Sequence, residues 1–166
     1  LGKLEEKQGN EKKALSWFDQ VTEGPFAFDA SVSAISLLQK EKHLEEAGSR
    51  LSLLQMKFPR QKLQLVLVQA ELYNQQKKYD EAISALSNAL TDFPNQKELL
   101  YTRALILERI NKLDLAEIDL KKILAIDPNN FEALNALGYT LLNNSGRYVE
   151  AEKLLQKALD LEPNEA

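Results

Sequence analysis

Residues 79–97 read YDEAISALSNALTDFPNQK, and residues 148–166 read YVEAEKLLQKALDLEPNEA. In both, a tyrosine stands three residues before an alanine, and a proline stands twelve residues after it. The alanine–proline interval recurs at Ala47 and Pro59 and at Ala116 and Pro128. Successive prolines of this lattice are 35, 34 and 35 residues apart, so four of the five prolines mark one period. A fixed period of this length is the mark of a stacked repeat architecture.

Each period holds two amphipathic segments. In the unit from Lys97, Leu100, Ala104, Leu107 and Ile110 recur at helical spacing, and so do Leu113, Ala116, Leu120, Ile123 and Leu124. The link at Asn111 and Lys112 is short enough to predict a tight helix–helix turn. Asp127–Asn130, DPNN, stops one helix and starts the next, because proline cannot sit inside a helix and Asn or Asp favours an N-cap. Ala47, Ala82, Ala116 and Ala151, with Ala14 in the first unit, lie early in the second helix of each pair. A methyl group there lets the paired helices approach, and a larger side chain would overpack the contact.

A helix–turn–helix unit of this length, with small residues at its close contact and a proline at its end, resembles the tetratricopeptide repeat. The Leu-Gly pair of that family stands at Leu137-Gly138 and at Leu1-Gly2. Its GxYxEA phrase stands at Gly146, Tyr148, Glu150 and Ala151, and in shorter form at Tyr79, Glu81 and Ala82. The resemblance implies an all-α, right-handed α-solenoid of antiparallel helix pairs. A partial repeat over 1–27 precedes units at 28–62, 63–96, 97–130 and 131–166. Departures are Ser31 and Gly48 in the unit from Phe28, Arg103-Ala104 in place of Leu-Gly, an extra residue in NNSG at 143–146, and one more before Leu63. They read as local changes of pitch. Leu1-Gly2 match the middle of a first helix, and Leu154, Leu155, Ala158, Leu159 and Leu161 would leave apolar surface open. Both features read as a segment of a longer repeat protein.

Composition excludes several classes of function. The chain has 166 residues, 44% hydrophobic and 28% charged, with a net charge of -4 and no cysteine. There is no thiol nucleophile, no thiolate metal site and no disulfide framework. No apolar run reaches the length of a membrane span, and Leu1–Lys13 lack the apolar centre of a secretory leader. The basic residues form no stripe with interleaved aromatics, which speaks against nucleic acid. His43 is the sole histidine and lies in a predicted turn with no nucleophile beside it. Phosphate-loop, dinucleotide, zinc-protease and calcium-loop patterns are absent. Asn143–Ser145 match a glycosylation sequon, a pattern common by chance. We therefore expect no enzyme, no cofactor and no metal.

The resemblance also implies where a partner would sit. In tetratricopeptide proteins the first helix of each pair lines a concave surface, at the second, fifth, sixth, ninth, twelfth and thirteenth positions of the repeat. Here those positions supply Ser33, Ser36, Gln39 and Lys40; Leu67, Val68, Glu71 and Asn74; Tyr101, Thr102, Leu105, Glu108 and Arg109; and Asn135, Tyr139, Leu142 and Asn143. Tyr101 and Tyr139 are aromatic anchors of the kind that dominate binding. Asn74, Asn135 and Asn143 can both donate to and accept from a peptide backbone. The ninth positions are Ser36, Glu71, Leu105 and Tyr139, so the family's carboxylate clamp of Lys, Asn and Arg is not expected. The expected partner is a protein or peptide, with exposed solenoid ends as a second route to assembly or a purely spacing role. The last unit is similar to repeats of proteobacterial outer-membrane lipoproteins that recruit a C-terminal processing protease. That likeness implies the periplasmic face of the outer membrane, and without it the cytoplasm.

Overall fold

The computed structural model describes residues 1–144 and 146–161. Pro163 and Ser145 lie outside the described residues, and with them the last member of the proline lattice and part of the NNSG turn. Among the described residues ten helices follow in chain order: α1 (Gly2–Lys7), α2 (Glu11–Asp19), α3 (Ala27–Lys40), α4 (Leu44–Lys57), α5 (Lys62–Gln75), α6 (Tyr79–Asp92), α7 (Lys97–Arg109), α8 (Leu113–Ile126), α9 (Phe131–Asn144) and α10 (Tyr148–Leu161). No strand is present among the described residues. The fold is the all-α solenoid of helix pairs expected from the repeat.

The lattice is visible in the turns. Gly9, Lys42, Lys77, Asn111 and Gly146 all have φ between 60° and 75°, and each lies between the two helices of a pair. In four of these turns the residue after the left-handed one donates its N–H to the carbonyl five residues back. The pairs are Asn10 to Glu5 (2.9 Å), His43 to Leu38 (2.8 Å), Lys78 to Tyr73 (2.8 Å) and Lys112 to Leu107 (2.9 Å). This is a helix C-cap that satisfies carbonyls otherwise left without partners. A side chain pays a steric penalty in this conformation that glycine escapes. Lys42→Gly is therefore expected to raise stability by about 0.5–1 kcal/mol. A urea midpoint that falls instead would show that the Lys42 side chain contributes more than its backbone costs.

The prolines act at the other junction. Gln61, Gln96 and Asn130 donate to the carbonyls of Phe58, Phe93 and Asp127, closing turns with Pro59, Pro94 and Pro128 in second place. Asn130 also caps α9, its Oδ1 accepting the Ala133 N–H at 2.9 Å.

The chain divides into two compact units, Leu1–Lys78 and Tyr79–Ala166. In the first, Ile35, Leu38, Leu51, Leu54, Leu65 and Leu72 form the core with Ala47, and Phe28 meets Phe58 edge to face at 5.4 Å. Ala14, Phe18, Ala34 and Leu37 form a smaller cluster under α2. Arg50 ties α4 to α2 through Asp19 at 2.5 Å and reaches Glu46 on its own helix at 2.9 Å. In the second unit each helix packs on its neighbours in sequence, and Leu86, Leu99, Leu100, Leu120, Ile123, Leu134 and Leu141 are almost wholly buried. Burying one such side chain stabilises by about 1.5–3 kcal/mol. Ala14, Ala47, Ala82, Ala116 and Ala151 are all at 0% exposure, as the close-contact reading of the lattice requires.

Candidate functional site

The first helices of the pairs carry the expected binding residues, and the two units present them differently. In the first unit, Phe28, Val32, Leu67 and Val68 line an open groove of about 350 Å³, with Asp29 and Gln64 at its polar margin. Glu71 is exposed on α5. Its carboxylate accepts the side-chain amide of Asn74 at 3.2 Å and that of Gln75 at 2.8 Å. The amide oxygens of Asn74 and Gln75 are buried and have no partner. Gln39 departs from the expectation. It is 4% exposed, so its side chain offers nothing to an open surface. The cause is local, because Gln39 lies one helical turn after the core residue Ile35 and so shares its inward face.

In the second unit the face is built from α7 and α9. Tyr101 is half-buried, and burial first, then the charges of Glu132 and Glu108, pushes its hydroxyl pKa up. The phenol therefore stays neutral and able to donate. Leu105 is 42% exposed and Tyr139 56%, so both offer real contact area. Arg109 and Asn143 are exposed and Asn135 is half-buried. The Thr140 hydroxyl, only 1% exposed, sits between the Ala136 carbonyl at 2.9 Å and the Glu108 carboxylate. That contact ties the expected groove residue Glu108 to α9, where it serves packing.

Two ion-pair groups were not legible in the sequence. Arg103 stands where the repeat expects leucine, and its guanidinium grips Asp119 of α8 through Nε (2.8 Å) and Nη2 (2.7 Å). Nη1 donates to Ser87 at 2.9 Å, and the Asp119 side chain is only 3% exposed. Glu117 accepts Lys121 at 2.6 Å and Arg147 at 2.7 Å. Burial acts against the Glu117 charge, yet these two donors outweigh it and hold the carboxyl below its ordinary value. The first group joins α7 to α8, and the second joins α8 to the turn before α10. Among the described residues no cluster of side chains could hold a metal ion, and no helix is long and apolar enough to cross a membrane.

Comparison with known proteins follows the same lines. Family profiles described as tetratricopeptide repeat match residues 67–131 and 120–153. A TPR repeat-containing protein of Pseudomonas aeruginosa, PA4667, is 36% identical over 165 residues. That match takes in 99% of this chain but 28% of the relative's length. Among solved structures, MamA superposes with a TM-score of 0.72 at 18% identity, covering 98% of this chain and 95% of MamA. YrrB, described as a TPR protein with an unusual peptide-binding site, superposes with a TM-score of 0.65 at 19% identity, covering 99% of this chain and 84% of YrrB.

Proposed function

We propose a function from one premise: the chain belongs to the tetratricopeptide-repeat family. It is a protein–protein interaction scaffold, and its first-helix face holds an extended peptide or a partner helix without catalysis. The observation that carries this reading is the exposed mixture on α7 and α9. Tyr139 and Leu105 offer apolar area, while Arg109, Asn135 and Asn143 offer charge and amide groups beside them. Buried aromatic contacts supply most of the energy at such surfaces, and amides fix the backbone. The peptide-binding site in the description of YrrB gives the reading a precedent on this fold.

Its test is capture of a partner by the wild type and by the Tyr101→Ala/Tyr139→Ala variant. The variant is expected to lose at least about tenfold in affinity, as for two truncated anchors, with unchanged helicity by circular dichroism. Capture that survives in full overturns the groove reading and favours the spacer role.

The similarity of the last unit to outer-membrane adaptor repeats motivates a second, narrower reading. There the scaffold works at the periplasmic face and recruits a C-terminal processing protease. Fractionation of cells expressing the full-length gene decides it. Recovery with the outer membrane supports the adaptor, and recovery in the cytosol overturns it.

A further inference from the structure

The second helices α4, α6, α8 and α10 each turn one stripe of four positions to solvent, spaced three, four and three residues apart. In α6 the stripe is Glu81, Ser84, Asn88 and Thr91, and in α10 it is Glu150, Lys153, Lys157 and Asp160, all polar. The other two helices break this pattern, in opposite halves. Helix α8 begins its stripe with Leu115, 50% exposed, and Ile118, 61% exposed, and continues with Lys122 and Ala125. Helix α4 begins with Glu46 and Ser49 and ends with Leu53, 67% exposed, and Met56, 80% exposed. The repeat does not need apolar side chains here, because the buried faces of these helices are Ala47, Leu51 and Leu54 in α4 and Ala116, Leu120 and Ile123 in α8. Exposed apolar pairs at positions that are otherwise polar mark an interaction surface.

We propose that the solvent face of α8 docks antiparallel on the solvent face of α4 in a second copy of this chain. Both helices are 14 residues long, and their apolar pairs share one spacing in opposite halves. Antiparallel packing therefore sets Leu115 against Met56 and Ile118 against Leu53. Lys122 then meets Ser49, and Ala125 meets Glu46. The charges agree with this register. Asp114 comes level with Lys57, and Lys122 stands one turn from Glu45 and Glu46. Complementary charges of this kind fix register and exclude wrong partners. A parallel arrangement forfeits both gains, since it puts Leu115 and Ile118 over Glu46 and Ser49 and brings Asp114 to Glu45. Two α8 faces packed antiparallel would set Ile118 against Lys122, so α8 is matched by α4 and not by itself. The contact joins unlike faces, and each bound copy keeps one face of each kind for a further copy unless the assembly closes.

Sedimentation equilibrium of the whole chain tests this. The wild type is expected to associate with rising concentration, and Ile118→Asp and Leu53→Asp are each expected to abolish that association. Both positions face solvent, so both variants are expected to keep their helices, as circular dichroism will verify. A mixture of the two variants is expected to recover a 1:1 complex, because the intact α4 of the Ile118→Asp chain meets the intact α8 of the Leu53→Asp chain. A wild type that stays monomeric up to about 1 mM overturns the proposal. Association that both variants retain also overturns it and assigns the contact to another surface, such as the ends of the solenoid. Loss in Ile118→Asp alone, or a mixture that stays monomeric, overturns the pairing of α8 with α4.

Discussion

Arg103→Leu is expected to destabilise the fold by about 3 kcal/mol, at the lower end of the range for breaking a buried ion pair from one side. The loss has two sources. Asp119, with its side chain 3% exposed, would keep its charge without the two guanidinium bonds at 2.7 and 2.8 Å. Ser87 would lose its donor as well. The lower end applies because the Arg103 side chain retains 22% exposure, so part of the site can admit water. The double variant Arg103→Leu/Asp119→Leu should behave differently. On the lattice Arg103 and Asp119 correspond to Leu137 and Leu154, an apolar pair that the last repeat already uses in the same place. Replacing a buried ion pair by packed apolar groups of similar volume is often neutral or stabilising. The double variant is therefore expected within about 1 kcal/mol of wild type or above it. Urea denaturation of the four proteins of the cycle reads the coupling. If the single variant costs no more than an exposed salt bridge does, roughly 0.2–1 kcal/mol, the pair is not structural.

The Arg103 pair also shows which features a sequence of this kind conceals. The period was legible because alanine, proline and helical apolar spacing repeat independently of one another. Helix α8 runs over Leu113–Ile126 and takes in the apolar positions read from Leu113 to Leu124, and Asn130 caps α9 as its residue type suggests. Arg103 was visible only as an exception to the Leu-Gly pair. Nothing in the sequence identifies Asp119, sixteen positions further on, as its partner, because an aspartate on a second helix reads as solvated surface. Gln39 was misplaced for the opposite reason. Family position assigned it to the groove, while its own helix sets it one turn after Ile35, facing the core. A repeat position describes the average unit, and the particular neighbours decide burial. The left-handed turn residues were hidden in a third way. Glycine stands at only two of the five lattice positions, so Lys42, Lys77 and Asn111 gave no sign of their backbone conformation.

Gly138→Val is expected to cost about 2–3 kcal/mol, the upper part of the range for overpacking a tight helix contact. A Cβ built at Gly138 would stand 2.6 Å from Cγ and 2.7 Å from Cδ2 of Leu155, with the Ala151 carbonyl oxygen at 3.4 Å. Gly2 has the same relation to Phe18, whose ring carbons would lie 2.6 and 2.7 Å from the added atom. In both pairs the large residue stands four positions after the lattice alanine, so glycine and alanine together set the spacing of the two helices. In the units from Leu63 and Lys97 the equivalent of Gly138 is Ala70 and Ala104, and in the unit from Phe28 it is Ile35, all three buried, so the position itself accepts a side chain where the facing residue leaves room. Gly138→Ala should therefore be mild, since the gain in helix propensity of about 1 kcal/mol opposes the contact. Valine removes that balance by adding two branches next to Leu155. The decisive measurement is the double-mutant cycle with Leu155→Ala. If the clash is the cause, Gly138→Val should cost about 1–2 kcal/mol less in the Leu155→Ala background than in the wild type. Equal costs in the two backgrounds would place the penalty in the β-branched backbone of α9 itself, and the close approach of α9 to α10 would no longer explain the glycine.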